Sequence, residues 1–212
     1  MPQTVWLARH GNRYDFVHPA WFETAERPYD PPLSADGVTQ AQELGQHLQG
    51  EQIARVFASP FLRTVQTAHY VARALGVTVA LEAGLSEWLN PDWMAHAPQT
   101  LPPQVLAASY PEIDLSYTAR VVPSYPESSE AAWARTARTV QCLVRDFPQD
   151  FALIGHGASV MGVAAGLLGG RPSINASLCA LIQLVREGQD WRLALAGDTS
   201  HLSQPETVVR FN

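Results

Sequence analysis

Charge is scarce in this chain. Asp, Glu, Lys and Arg make up 16% of the 212 residues, and the balance is acidic, with a formal net charge of −6. A nucleic-acid partner needs a basic footprint, and none is visible. Cysteine is nearly absent. Cys142 and Cys179 stand far apart and form no CxxC, so neither a disulfide framework nor a cysteine zinc site is suggested. Two isolated thiols suit a reducing compartment, and the chain is expected in the cytoplasm. No HExxH occurs. Long apolar runs are missing too, and "MPQTVWLARH" has no basic start followed by an apolar stretch. Neither a membrane span nor a secretion signal is expected.

What is present is apolar and patterned. Hydrophobic residues make up 46%, a globular composition, and the length allows one sizeable core. A single domain over 1–212 is expected. "TVWLAR" (4–9), "ARVFAS" (54–59), "VTVAL" (77–81) and "FALIGHG" (151–157) are short and apolar, as buried strands are. Helical spacing recurs between them, over 34–50, 59–76, 129–147 and 158–170. Ser59 can cap the second helix, Pro60 suits its first position and Gly76 can close it. "SLCALIQLV" and "WRLALAGD" read as two final strands joined at "EGQD". Alternating strands and helices imply a three-layer α/β/α sandwich with a mostly parallel central sheet. Segments at about 14–33 and 86–128 lack periodicity, are rich in proline and aromatics, and are expected to form caps.

In such a sheet, ligands bind beyond the carboxyl ends of the strands. Arg9 and His10 end the first strand, Ser59 ends the second and leads toward Arg63, and His156 ends the "FALIG" strand. Any one of these has a bland explanation as a solvated or packed side chain. Together they make an anion site. Guanidinium forks match phosphate oxygens in pairs, and an imidazole with one free nitrogen is a nucleophile. His10 can attack phosphorus while Arg9, Arg63 and His156 hold the equatorial oxygens. A leaving alkoxide needs a proton. Glu87 in "EAGLSEWLN" is the first candidate acid, with Trp88 beside it to exclude water, and Asp15 is a weaker one. His18, His47, His69, His96 and His201 have no comparable placement.

The motifs resemble those of the histidine phosphatase superfamily, whose fold is phosphoglycerate-mutase-like. "ARHG", "PPLSADGVTQAQELGQHL", "ASPFLRTVQTA", "IGHGASV" and "AGDTSHL" are similar, in order, to five of its segments; Gly197 stands where Asn is usual. The resemblance implies that His10 is phosphorylated, that Arg9, Arg63 and His156 bind phosphate, and that Glu87 donates the proton. "RHGNR" and "EAGLSEW" resemble the branch containing the T-cell signalling suppressor and steroid-phosphate phosphatase domains, which implies that Arg13 joins the phosphate pocket. The "ERxYG" element of the phosphoglycerate mutases is missing.

A phosphomonoester phosphatase acting on a small-molecule or peptide substrate is therefore expected. A phosphomutase and a catalytically weak phospho-ligand-binding regulator are the alternatives. Arg9, Arg13, Arg63 and the imidazoles supply the positive charge that a metal gives other phosphoryl-transfer sites, so no metal or other cofactor is expected. Phe16, Trp21, Phe22 and Tyr29 follow the nucleophile, and Trp88 and Trp93 lie in the second cap. These aromatics either line an apolar substrate pocket or glue the loops to the domain.

Overall fold

A computed structural model describes residues 2–206. Its centre is a six-stranded sheet in the order β3-β2-β4-β1-β5-β6. The strands are β1 (Thr4–Arg9), β2 (Arg55–Ala58), β3 (Val79–Leu81), β4 (Phe151–Gly155), β5 (Leu181–Glu187) and β6 (Asp190–Asp198). The first four run parallel. β5 returns antiparallel to β1, and β6 pairs antiparallel with β5, so the last two form a hairpin at one edge. The architecture is the expected three-layer sandwich.

Strand alternation divides the core between the two faces. Trp6, Ala8, Val56, Ala58, Ala152 and Ile154 pack toward α3 (Ala35–His47) and α4 (Leu62–Leu75). Val5, Leu7, Phe57, Phe151 and Leu153 pack toward α6 (Ser129–Asp146) and α7 (Gly157–Leu168). Small residues let α7 press against its neighbour: a Cβ added at Gly166 would fall 2.7 Å from the Ala137 Cα.

Three sequence expectations change. The helix after β2 begins at Leu62, and Ser59 does not cap it. Its first amide, Leu62 N–H, instead donates to the Asp30 carboxylate at 2.7 Å, a cap supplied from a distant loop. Segment 14–33 is not wholly irregular, because it carries two single turns, α1 (Tyr14–Val17) and α2 (Trp21–Thr24). Segment 86–128 divides in function. It contains α5 (Pro103–Ser109), and Leu106 and Ile113 join the α3/α4 core while Ile113 bridges to Val79 on β3. Only its first part stands over the strand ends. The reason is ordinary burial: the edge strand β3 needs apolar cover, and this loop supplies it.

Candidate active site

The loop after β1 is held on three sides. His10 N–H continues the β1–β4 pairing by donating to Gly155 O at 3.0 Å. Gly11 N–H donates to Thr67 Oγ1 on α4 at 3.1 Å, and Asn12 N–H donates to Gln40 Oε1 on α3 at 2.9 Å. Here glycine is required for closeness. A Cβ on Gly11 would lie 2.4 Å from Gly37 O, and one on Gly37 would lie 2.2 Å from Asn12 O. The start of α3 therefore sits directly against the loop that carries His10.

His10 is fully buried. Its Nδ1 lies 2.7 Å from Gly11 O, a group that only accepts, so Nδ1 carries the proton. Nε2 then bears the lone pair, and it has no hydrogen-bond partner among the described residues. Burial, followed by the charges of Arg63 and Arg9, pushes the His10 pKa well below its ordinary value of 6.5. The ring is neutral, oriented and free at one nitrogen, which is what nucleophilic attack requires.

His156 meets it edge to face, with ring centroids 5.3 Å apart. Its backbone N–H donates to Ser159 Oγ at 2.8 Å, at the start of α7. Arg63 Nη2 lies 3.2 Å from His156 Nδ1, and Ser59 Oγ lies 2.9 Å from Nε2. Arg63 can only donate, so Nδ1 accepts and Nε2–H donates to Ser59. Burial, then Arg63 and the neighbouring His10, keep this imidazole neutral as well.

Three guanidiniums surround the pair. The chain contains no lysine, so every cation it places here has the planar fork suited to phosphate. Arg9 and Arg63 are each 1% exposed. Arg9 Nη1 donates to Ala176 O at 3.3 Å, and Arg63 Nη1 donates to Tyr29 O at 3.3 Å. Arg13 is clamped through both arms by Asp15, with Nε to Oδ1 at 2.9 Å, and lies over the Phe16 ring. Burial and the nearby Arg13 lower the Arg63 pKa to about 9. Asp15 and Glu87 offset only part of this positive charge, and a phosphate dianion would supply the rest.

Glu87 faces this cluster. Its Oε2 lies 3.5 Å from His156 Nδ1 and 3.9 Å from Arg63 Nη2, and its Oε1 accepts from Trp88 N–H at 3.0 Å. The loop carrying it is fastened from behind by Arg135, which is 2% exposed. Arg135 donates to the carbonyls of Gly84 at 2.7 Å, Ser86 at 3.0 Å and Glu87 at 3.1 Å. It is itself paired with Glu127, Nε to Oε1 at 2.7 Å.

A cavity of about 310 Å³ opens over Arg13, Asp15, Arg63 and Glu87, walled by Phe16, Phe22, Tyr29, Trp93 and Met94. Trp21 and Trp88 do not line it. Trp21 Nε1–H donates to Pro28 O at 3.0 Å, which fastens its own loop. Trp88 turns away, donating from Nε1–H to Glu127 O at 2.8 Å, and helps form a second cavity with Trp93 and Trp133. Of the six candidate aromatics the wall uses Phe16, Phe22, Tyr29 and Trp93, and it adds Met94.

The structure thus brings together all six residues singled out for chemistry: His10, Glu87, Arg9, Arg13, Arg63 and His156. It adds Ser59 and Arg135, and it pairs Asp15, the weaker candidate acid, with Arg13. Ser59 had a visible signal, because it ends a strand beside the site. The role of Arg135 had none, because its partners are backbone carbonyls some 50 residues earlier in the chain.

The sequence pattern of the histidine phosphatase superfamily (branch 1) matches residues 5–199. The transcription factor tau 55 kDa subunit of Saccharomyces cerevisiae is 28% identical over 185 residues, covering 78% of this chain and 41% of that protein. The human ubiquitin-associated and SH3 domain-containing protein A is 26% identical, covering 79% of this chain and 31% of its own length. The chain therefore spans well under half the length of either relative. Among solved structures, the ecdysone phosphate phosphatase from Bombix mori, in complex with tungstate, superimposes with a TM-score of 0.80 at 23% identity, covering 99% of this chain and 98% of that one.

Proposed function

The chain belongs to branch 1 of the histidine phosphatase superfamily, and we propose that it is a phosphomonoester phosphatase that works through a phosphohistidine on His10. The supporting observation is the tautomer of His10. Nδ1–H is fixed on Gly11 O, and a buried, unpartnered Nε2 is ringed by Arg9, Arg13 and Arg63.

In the first half-reaction His10 Nε2 attacks phosphorus and the ester P–O bond breaks. Glu87, as its carboxylic acid, gives a proton to the departing oxygen. Arg9, Arg13, Arg63 and His156 hold the equatorial oxygens and stabilise their charge. In the second, a water molecule attacks phosphorus and the P–N bond breaks. Glu87, now a carboxylate, takes the proton from that water. Inorganic phosphate leaves and both residues return to their starting states.

The cavity wall of Phe16, Phe22, Tyr29, Trp93 and Met94 favours a leaving group with an apolar or aromatic face, carried by a small molecule or a peptide. No described helix is long and apolar enough to cross a membrane. Cys142 and Cys179 are both free, which suits action on soluble substrates in a reducing cytoplasm.

The test is phosphate release from nitrophenyl phosphate and from a panel of phosphorylated metabolites and phosphotyrosine peptides, with EDTA present. Turnover with transfer to water supports the phosphatase. A requirement for a bisphosphoglycerate primer, with phosphate returned to a glycerate, supports the mutase. Binding without turnover across the panel supports a phospho-ligand-binding regulator.

A further inference from the structure

A second cluster of chemistry-bearing side chains lies outside the phosphate pocket. It joins His47 in the last turn of α3 to Asp198 at the end of β6 and His201 in the turn that follows. One ligand atom from each lies within 4.8 Å of the other two. We propose that these three residues form a structural site for a borderline divalent transition metal, with zinc as the best fit.

Three observations carry this. First, His201 is already arranged as a ligand. Its Nε2 lies 3.1 Å from Cys179 O and must donate the proton, so Nδ1 bears the lone pair. An outer hydrogen bond from imidazole to a carbonyl is how metal-binding histidines are usually oriented. Second, His201 Nδ1 is a buried atom with no hydrogen-bond partner among the described residues. A buried imidazole nitrogen without a partner is costly unless something is bound to it. Third, the other two side chains adjoin it. The His47 and His201 rings are stacked with centroids 4.8 Å apart. The Asp198 carboxylate is steadied by Ser200, which donates from its N–H at 3.1 Å and from its hydroxyl at 2.8 Å.

The donor set selects the metal. Two imidazoles and one carboxylate suit zinc or a neighbour in its row, whereas magnesium and calcium prefer oxygen alone. Zinc–ligand bonds of about 2.0–2.1 Å place tetrahedral ligand atoms roughly 3.4 Å apart, so the cluster must contract. His47 is exposed, at the end of a helix, and its side chain can close that gap by rotation.

A metal here would fasten the turn after β6 to α3. Glu43, one turn before His47, already holds that turn by accepting from Ser203 N–H at 3.1 Å. The site also backs onto the phosphate pocket through one residue. Cys179 O receives His201, and Cys179 N–H donates to Arg9 O at 3.2 Å.

The test uses the full chain, stripped with EDTA and dialysed against buffered zinc ion, with vanadate present to occupy the phosphate pocket. Wild type should bind one zinc per chain at micromolar free metal, and its melting temperature should rise. His47→Ala, at an exposed position, should fold normally but lose at least about 10-fold in zinc affinity and most of that rise. Asp198→Asn should behave in the same direction. Equal zinc binding by wild type and His47→Ala would place the metal elsewhere and overturn the proposal. So would the absence of stoichiometric binding by wild type at micromolar zinc. Turnover is a separate readout, because phosphatase activity can fail while this site binds metal, and the reverse.

Discussion

The buried cluster that Arg63 joins to the cavity, here called the floor, and the cavity's rim are built in opposite ways. On the floor, His10, Arg9, Arg63 and His156 are between 0 and 1% exposed. Each sits at a strand end or in a first helical turn, and each has hydrogen bonds that set its direction. On the rim, Phe22 is 50% exposed and Trp93 is 37% exposed. Phe22 stands on the single-turn α2 and Trp93 on the 86–94 loop, where the order comes from contacts such as Ala95 N–H donating to the Tyr29 hydroxyl at 2.9 Å and Trp88 against Trp93. The floor is over-determined by the sheet and fits a demand common to all phosphate esters. The rim is lightly held, and a change there alters which ester is preferred without touching the chemistry.

The sharpest way to break this comparison is to remove the nucleophile. His10→Ala should lower turnover of every phosphate ester by at least about 10³-fold while the protein stays folded, measured by phosphate release and thermal melting. If a rim substitution cost as much on every substrate, the division would be wrong.

Glu87→Gln comes next, because Glu87 belongs to both regions. It should slow alkyl phosphate hydrolysis by about 10²–10⁴-fold and spare nitrophenyl phosphate, whose leaving group departs with little need of a proton. Equal losses on both esters would make Glu87 structural and turn attention to Asp15. Single-turnover phosphorylation of His10 is the step to follow.

Smaller, and confined to the floor, is a dependence of stability on pH. His10 and His156 are both held neutral below their ordinary pKa. Between 6.5 and the lowered values the unfolded chain binds more protons than the folded one, so stability falls as pH falls. Both groups contribute, so the profile should steepen as pH drops below 6.5. Urea unfolding from about pH 7.5 to about pH 5.5 measures it, and added phosphate should offset part of the loss. A flat profile would mean that the two rings are not desolvated as described.

The smallest effect belongs to the rim. Phe22→Ala should raise KM for bulky aryl phosphates by about 3–10-fold, since a half-exposed ring contributes on the order of 1 kcal/mol. It should leave glycerol phosphate unchanged. A uniform change on both substrates would mean that Phe22 supports the fold and not the substrate.

The same contrast explains how far the sequence could be read. The floor was legible because the positions of Arg9, His10, Arg63 and His156 follow from where strands stop, and strands announce themselves by short apolar runs. The final hairpin follows for the same reason; the order of the strands in the sheet does not, because pairing partners lie far apart in sequence. The rim was legible only as a supply of aromatics. Nothing periodic sets the direction of a loop side chain, so of the six aromatics the sequence offers, Phe16, Phe22, Tyr29 and Trp93 line the wall, Trp21 and Trp88 do not, and Met94 joins it. Ser59 was read by its local helix-start pattern, but a long-range partner, His156, claims its hydroxyl while Asp30 caps the helix. Residues 103–113 read as cap because the proline-rich segment around them shows little periodicity, yet Leu106 and Ile113 are core.

The central claim is that the unpartnered Nε2 of His10 is the atom that takes the phosphoryl group. Rapid mixing of enzyme with a labelled nitrophenyl phosphate, quenching in base and mapping of the acid-labile, base-stable label tests it directly. A transient label on His10, formed within one turnover, base-stable as a phosphohistidine is, and lost as phosphate appears, is the predicted result. Label on His156, or turnover by His10→Ala at the wild-type rate, would contradict it.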